Sequence, residues 1–287
     1  MSISLQAALR EMLHDWQSDF SSDWRAVIDG VELAFDDMDA ALEIHPWEPI
    51  FPSRRGFVLP GEPEGAHTFR AFDELSPTAV RCLVIGQDPY PNIAFSTGRA
   101  FESGEHRHWR ELGNMRSPSM RCLVQSLHAF RSGGACSAQD TNGWSETLAA
   151  IDAPDSQFPP PMELAQSWVE QGVLLLNSSL TLSRFETCGD PHQIKGHLPL
   201  WRPLMTRILR HFCSRESARP VVCLLFGAAA QDTAFASGIT DADTIHDHPA
   251  IVTSPHPADG NGFLKQSNPF VRCNEKLAAM GAPSIHW

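Results

Sequence analysis

This 287-residue sequence predicts an α/β fold, with a central four-stranded parallel sheet flanked by helices in an α/β/α sandwich. Three observations carry that expectation. Four short apolar runs have no polar interruption, as strands buried on both faces of a parallel sheet do. Each run stops at a glycine or at a small, polar or proline-rich turn. Helical periodicity fills the intervals, and strands alternating with helices imply crossover connections within one sheet.

Leu5, Ala8, Leu9, Met12, Leu13 and Trp16 recur at helical spacing and predict an amphipathic helix over 4–18. Trp24, Val27, Ile28, Val31 and Phe35 predict a second. Residues 45–65, rich in proline and glycine, read as an irregular segment. Leu83-Val84-Ile85 is the first strand and breaks at Gly86. A helical pattern covers 118–131. The stretch 132–161 holds Gly133-Gly134, Asn142-Gly143 and Pro159-Pro160-Pro161, and reads as a long loop or insertion. A helix over 162–171 leads into Gly172-Val173-Leu174-Leu175-Leu176, which ends at Asn177-Ser178-Ser179. A helix over 197–213 precedes the third strand, Val221 to Phe226, which runs into Gly227-Ala228-Ala229. Helix 228–236 and the strand Ala250-Ile251-Val252-Thr253 follow, the strand ending at Ser254-Pro255-His256-Pro257. A last helix spans 268–280. There is no internal repeat. We expect a single domain over 1–287, with an acidic helical segment (1–44) preceding a catalytic core (45–287).

Composition narrows the function classes. The hydrophobic fraction of 42% and charged fraction of 20% are those of a globular protein. No apolar stretch approaches the roughly 18–20 residues of a membrane span, so no membrane partner is expected. Met1 to Arg10 lacks a basic flank leading into an apolar core, which argues against a secretory leader. Seven scattered cysteines, an odd number without a Cys-x-x-Cys pair, point to a reduced, cytoplasmic compartment. Taken over the whole chain, the net charge of −12 opposes a nucleic-acid partner. Yet residues 1–53 hold eleven acids against two bases, a local −9, and leave only −3 over the other 234 residues. The field near the strand ends can therefore be positive.

Three of the four strand-end turns carry one reactive side chain each: Asp88, Asn177 and His256. Open α/β sheets bind ligands beyond the carboxyl ends of their strands, so a parallel sheet would aim all three into one cleft. Any one alone reads as a turn-capping residue; three on equivalent ends make a site. Tyr90, two residues after Asp88, is the sole tyrosine of the chain.

These residues resemble the uracil-DNA glycosylases of family 1. Gly86-Gln87-Asp88-Pro89-Tyr90-Pro91 matches that family's water-activating loop, and Gly172 to Thr181 its uracil-reading strand. Ser254-Pro255-His256-Pro257 matches its histidine loop. Arg116-Ser117-Pro118-Ser119-Met120 is similar to its phosphate loop, and Arg99-Ala100-Phe101 to the segment bearing its stacking aromatic. Trp168 and the closing Ile285-His286-Trp287 also match family features. The resemblance implies hydrolysis of the bond between uracil and deoxyribose in flipped-out deoxyuridine, with release of free uracil in base excision repair. It implies Asp88 beneath the sugar and His256 as donor to uracil O2. Asn177 would read uracil N3–H and O4, Tyr90 would block C5 and Phe101 would stack on the base. The main chain around Gln87 would contact the pyrimidine. Pro118, Ser119, Ser254, Pro257 and Ala258 would line the DNA backbone. The implied partner is uracil-containing DNA, single- or double-stranded, bound by a monomer without metal or cofactor.

One departure matters. Where the family continues with serine, proline and a wedging leucine, this chain reads Ala258-Asp259-Gly260-Asn261-Gly262-Phe263-Leu264. The phosphate-contacting serine is Ala258, and Leu264 lies several residues beyond the wedge position. The loop after Tyr90 is also short, with Asn92-Ile93-Ala94-Phe95 leading to Ser96-Thr97-Gly98. Two alternatives accompany this reading. One is a DNA-binding relative of the same fold with weakened catalysis, motivated by the altered loop. The other is a metal-dependent hydrolase, motivated by His106-Arg107-His108 and His246-Asp247-His248.

Overall fold

The computed structural model describes residues 2–104, 106–114, 118–134, 140–186, 189–213, 219–239 and 250–287. In chain order the elements are β1 (Ile3–Ser4), α1 (Leu5–Met12), α2 (Ser22–Ile28), β2 (Glu43–Ile44), β3 (Cys82–Gly86), α3 (Ser119–Arg131), α4 (Trp144–Ile151), α5 (Pro161–Val169), β4 (Val173–Asn177), α6 (Leu198–Cys213), β5 (Val222–Phe226), α7 (Ala228–Ala236), β6 (Ala250–Ser254), α8 (Asn261–Leu264) and α9 (Pro269–Ala279).

The four apolar runs form one sheet in the order β4-β3-β5-β6. Every pairing is parallel, with Gly86 opposite Asn177 and Phe226 opposite Ser254. All residues of β3, β4 and β5 are buried, which is why these strands show no polar alternation. The parallel register brings the four carboxyl ends to one edge, as the α/β expectation requires.

Three expectations about helices need correction. The first helix stops at Met12 rather than reaching residue 18, because Asp15 adopts a left-handed φ of 52°. Trp16–Asp19 then make one 3-10 turn, which still buries Trp16. The second helix stops at Ile28, before Asp29-Gly30, where Gly30 has φ 70°. Val31 is buried from a loop, and Phe35 starts a separate 3-10 turn. The stretch 132–161 is not all loop: α4 lies within it and packs on α3. Its pattern of Trp144, Leu148 and Ile151 is short and hemmed by glycine and proline, which hid it. Nor did the sequence disclose the two-residue pairing of β1 with β2.

The N-terminal segment packs against the rest of the chain through its apolar face. Leu5, Leu9, Leu13, Trp16, Phe20 and Trp24 belong to the same buried cluster as the sheet. Phe20 lies 4.7 Å from Phe69 and 4.9 Å from Phe72, and Trp24 Nε1–H donates to Leu75 O at 2.7 Å. Arg54 grips Asp19 through two nitrogens and donates to the carbonyls of Met12 and His14. Such a bidentate, half-desolvated pair holds better than an exposed one. At the other end, Trp287 is buried against Trp168 and Phe270, with centroids at 5.5 and 5.0 Å. No helix among the described residues is long and apolar enough to cross a membrane.

Candidate active site

The site grows from the pairing of β3 with β4. Gly86 and Asn177 are register partners at the two strand ends. A Cβ on Gly86 would lie 2.6 Å from Asn177 Oδ1 and 3.4 Å from the Phe101 ring, so only glycine admits both side chains there. The turn beyond is fastened to its neighbour. Ser178 N–H and Oγ–H both donate to Gly86 O, and Ser179 N–H donates to Gln87 O at 3.0 Å. Asp88 is thereby fixed just past the sheet edge.

Phe101 occupies the middle of this edge. It has a φ of 57°, a left-handed conformation that a bulky residue adopts only when its surroundings force it. Its neighbours supply that force. Ala100 N–H donates to Leu175 O, and the buried Arg99 is tied to Glu74, Glu102 and Gln166. The Phe101 ring packs edge-on against Phe226 at 5.2 Å and lies 6.2 Å from the His256 ring.

His256 enters from the end of β6. The Ala258 N–H donates to its Nδ1 at 3.0 Å. An Nδ1 that accepts leaves the proton of a neutral imidazole on Nε2, facing away from its own turn. Burial lowers the pKa of His256, opposed by Asp259, so the neutral form is favoured near neutrality. Gly227, with φ 85°, explains the otherwise featureless third strand end. A Cβ there would sit 2.9 Å from His256 Cβ, so the glycine makes room for the histidine.

Asp88 has the opposite electrostatics. Burial raises its carboxyl to about 7, with the Gln87 side chain opposing the rise. The Gln193 amide donates to Oδ2, while Oδ1 is buried with no hydrogen-bond partner among the described residues. The edge from β4 to β6 spans three strand spacings, about 14 Å, enough to seat one pyrimidine between Asn177 and His256. A carboxylate, an imidazole with its proton on Nε2, an amide and an aromatic ring thus all lie at this one edge of the sheet.

The family model of the Uracil DNA glycosylase superfamily matches residues 72–278. The chain belongs to the uracil-DNA glycosylase superfamily. A uracil-DNA glycosylase from Mycolicibacterium vanbaalenii is 30% identical over 231 residues, covering 78% of this chain and 80% of that protein. Uracil-DNA glycosylase 1 of Streptomyces avermitilis is also 30% identical, with the same shares covered. The crystal structure of the wild-type UNG from Nitratifractor salsuginis superposes with a TM-score of 0.61 at 22% identity, covering 96% of this chain and 98% of that one. At that identity the match speaks to the fold, and the parallel sheet with flanking helices is the superfamily's.

Burial holds the Tyr90 hydroxyl above its ordinary pKa, opposed by the nearby Ser119 side chain, and no hydrogen-bond partner reaches the phenol oxygen among the described residues. Ser119 is buried and is the first residue of α3, after the N-cap Pro118. Arg116 and Ser117 lie outside the described residues. Ser254 is buried, its Oγ without a partner among the described residues. Pro257 is buried and Ala258 exposed in a 3-10 turn over Pro257–Asp259.

Phe263 and Leu264 are 2% and 5% exposed, with Phe263 packed edge-on against Phe226. Neither can replace a wedging leucine, because both already fill the core. Gly260 has φ 59° and is buried, a Cβ there meeting Thr141 at 3.2 Å, while Asn261 Oδ1 accepts from Thr141 N–H. The turn's exposed positions are therefore Ala258 and Asp259.

The metal reading finds little to build on. His106 bonds Ser103 at 2.6 Å and packs on Phe95, and no group of three His, Cys, Asp or Glu among the described residues could hold a metal. His246-Asp247-His248 lies outside the described residues.

Sequence reasoning missed Gln193, Gly227 and the Ser178-Ser179 fasteners. The signal for Gln193 was faint: His192 and His197 flank it in a polar stretch leading into a helix.

Proposed function

We propose that this chain is a monofunctional uracil-DNA glycosylase. It hydrolyses the N-glycosidic bond of a flipped-out deoxyuridine, releasing uracil and leaving an abasic site. The reading is carried by the placement of Asp88 just past the end of β3, Asn177 at the end of the paired β4, and an Nε2-protonated, neutral His256 whose ring lies 6.2 Å from that of Phe101, all at one edge of the sheet.

The chemistry follows from charge. As the C1′–N1 bond breaks, its electron pair leaves with the base and positive charge builds on the sugar. The ionised Asp88 stabilises that cation and orients a water. The water oxygen bonds to C1′ and sheds a proton, and uracil ends with one proton restored to N1. His256 Nε2–H donates to uracil O2 as negative charge gathers there, a donor preset before the charge appears. Asn177 offers one donor and one acceptor, which suit O4 and N3–H of uracil; cytosine reverses both. Tyr90 crowds C5 against thymine's methyl, and Phe101 supplies the stacking face. Gln87 contributes main-chain contacts to the base.

Pro118, Ser119, Ser254, Pro257 and Ala258 ring the cleft as its DNA-backbone contacts, which position without reading sequence. The chain acts on uracil-containing DNA as a monomer and as one domain, the acidic helical segment seated on the core. Each step is supplied by side chains of the chain itself, so the proposal invokes no cofactor. A labelled single-stranded oligonucleotide with one uracil, treated with alkali after incubation, tests the reading. Cleavage that persists in EDTA is expected. Absence of cleavage at high protein concentration defeats the proposal in favour of a binding relative, and cleavage abolished by EDTA favours a metal hydrolase.

A further inference from the structure

We infer that Gln193 is a positioning residue for Asp88: its amide holds Oδ2 so that Oδ1 alone faces the reacting water. The inference rests on the glycosylase reading above. Gln193 is 2% exposed and donates to Asp88 Oδ2. Oδ1 is left buried with no partner among the described residues. The Gln87 side chain also acts on this carboxyl, lowering its pKa; with Oδ2 engaged by Gln193, Oδ1 is the oxygen left to accept from a water, which fixes the direction of attack.

The turn that carries Gln193 is built to hold that aim. Residues Gln193–His197 form a π-helical turn, a geometry commonly found at functional positions. Its backbone starts on Asp190 O, which accepts from both Gln193 N–H and Ile194 N–H. Behind it runs a continuous buried chain: Trp201 Nε1–H to Thr181 Oγ1 at 2.8 Å, Thr181 to His197 Nδ1, His197 Nε2 to Ser183 Oγ, and Ser183 to His192 Nδ1, each of the last three at 2.9 Å. Burial drives His197 to about 3 and also lowers His192, so both stay neutral while the site works. Fully satisfied buried networks of this kind rigidify what they touch. The other charged groups around the turn are Arg184, paired with Glu48, Lys195, beside Asp39, and Asp190, whose carboxylate accepts from His192 N–H.

Gln193→Leu removes the donor while keeping the bulk, and Gln193→Glu keeps the shape but sets a second carboxylate against Asp88. Single-turnover uracil release should fall roughly 10- to 100-fold in Gln193→Leu, in line with losing a hydrogen bond to a charged group. Oligonucleotide Kd should stay within about twofold of wild type, since positioning affects the reacting state and not binding. The acid limb of the pH–rate profile should move to higher pH in Gln193→Leu and further in Gln193→Glu. Gln193→Lys, which restores a donor, should bring the limb back down. If the leucine variant does not fold, the glutamate and lysine variants carry the same comparison. An unmoved acid limb in the glutamate variant, or a leucine variant within twofold of wild-type rate, overturns the inference. Wild-type protein that releases no uracil would instead overturn the glycosylase reading. The pH dependence of unfolding, measured without substrate, would then still report whether Gln193→Leu raises the Asp88 carboxyl.

Discussion

Asp88→Asn should make the protein more stable at alkaline pH while stopping its chemistry. Burial raises the Asp88 carboxyl from its ordinary 3.8 to about 7. A group whose folded pKa lies above its unfolded value binds protons more tightly when folded, so its folding penalty is absent below about pH 4. The penalty grows as pH rises and is complete above about pH 7. At 1.36 kcal/mol per pH unit the ceiling is about 4 kcal/mol. Asparagine carries no charge and therefore no such penalty. Its carbonyl can still accept from Gln193, but its Nδ2 replaces an oxygen that has no partner among the described residues, which returns about 1–3 kcal/mol. The expected net gain at pH 8 is about 1–3 kcal/mol, or several degrees in Tm. At pH 4 the sign reverses, because neutral aspartic acid bears no penalty and the stranded amide remains. Urea unfolding of both proteins at pH 4, 6 and 8 measures this. A stability difference that does not change with pH would refute the assignment of a buried, raised carboxyl.

Further outcomes follow from the same geometry. Uracil release should rise with pH through about 7 and then level, because Asp88 must be ionised and His256, lowered by burial, is already neutral; a rate that falls over that range contradicts the role of Asp88. His256→Ala should lose rate with little change in DNA affinity, and Gly227→Ala should lose rate too, since its Cβ would crowd His256 at 2.9 Å; single-turnover rates with matched Kd values check both. Tyr90→Ala should begin to release thymine and Asn177→Asp cytosine, and chromatography of the freed bases shows whether either gains its new substrate. Base flipping costs a few kcal/mol in a paired duplex and less in single strands. With no wedging side chain on the exposed turn, release should favour single strands and U·G mismatches over U·A pairs. Asp259→Leu should narrow that gap, whereas leucine at Gly260 should fail because of its φ of 59° and Thr141; equal wild-type rates on all three substrates would exclude the argument.

The sheet was legible because its strands are buried on both faces and so announce themselves as uninterrupted apolar runs ending at glycine, asparagine or proline. The residues Asp88, Asn177 and His256 were legible because strand ends in a parallel sheet share one edge. What was hidden depends on contacts between segments far apart in sequence. Gly227 reads as a plain turn glycine until His256, 29 residues on, is seen to need its space. Gln193 lies 105 residues from Asp88, and no periodicity links them. The early end of the first helix turned on one left-handed residue, Asp15, which apolar spacing cannot report. That Phe263 and Leu264 are spent on the core was hidden too, because sequence shows apolarity but not which side of a short helix is buried.

The most direct measurement is single-turnover release of uracil from a single-stranded oligonucleotide by wild type and Asp88→Asn, each at protein concentrations well above Kd and with EDTA present. The account predicts rapid release by wild type, and by Asp88→Asn a rate lower by several orders of magnitude with DNA still bound. Comparable rates from the two proteins would contradict it.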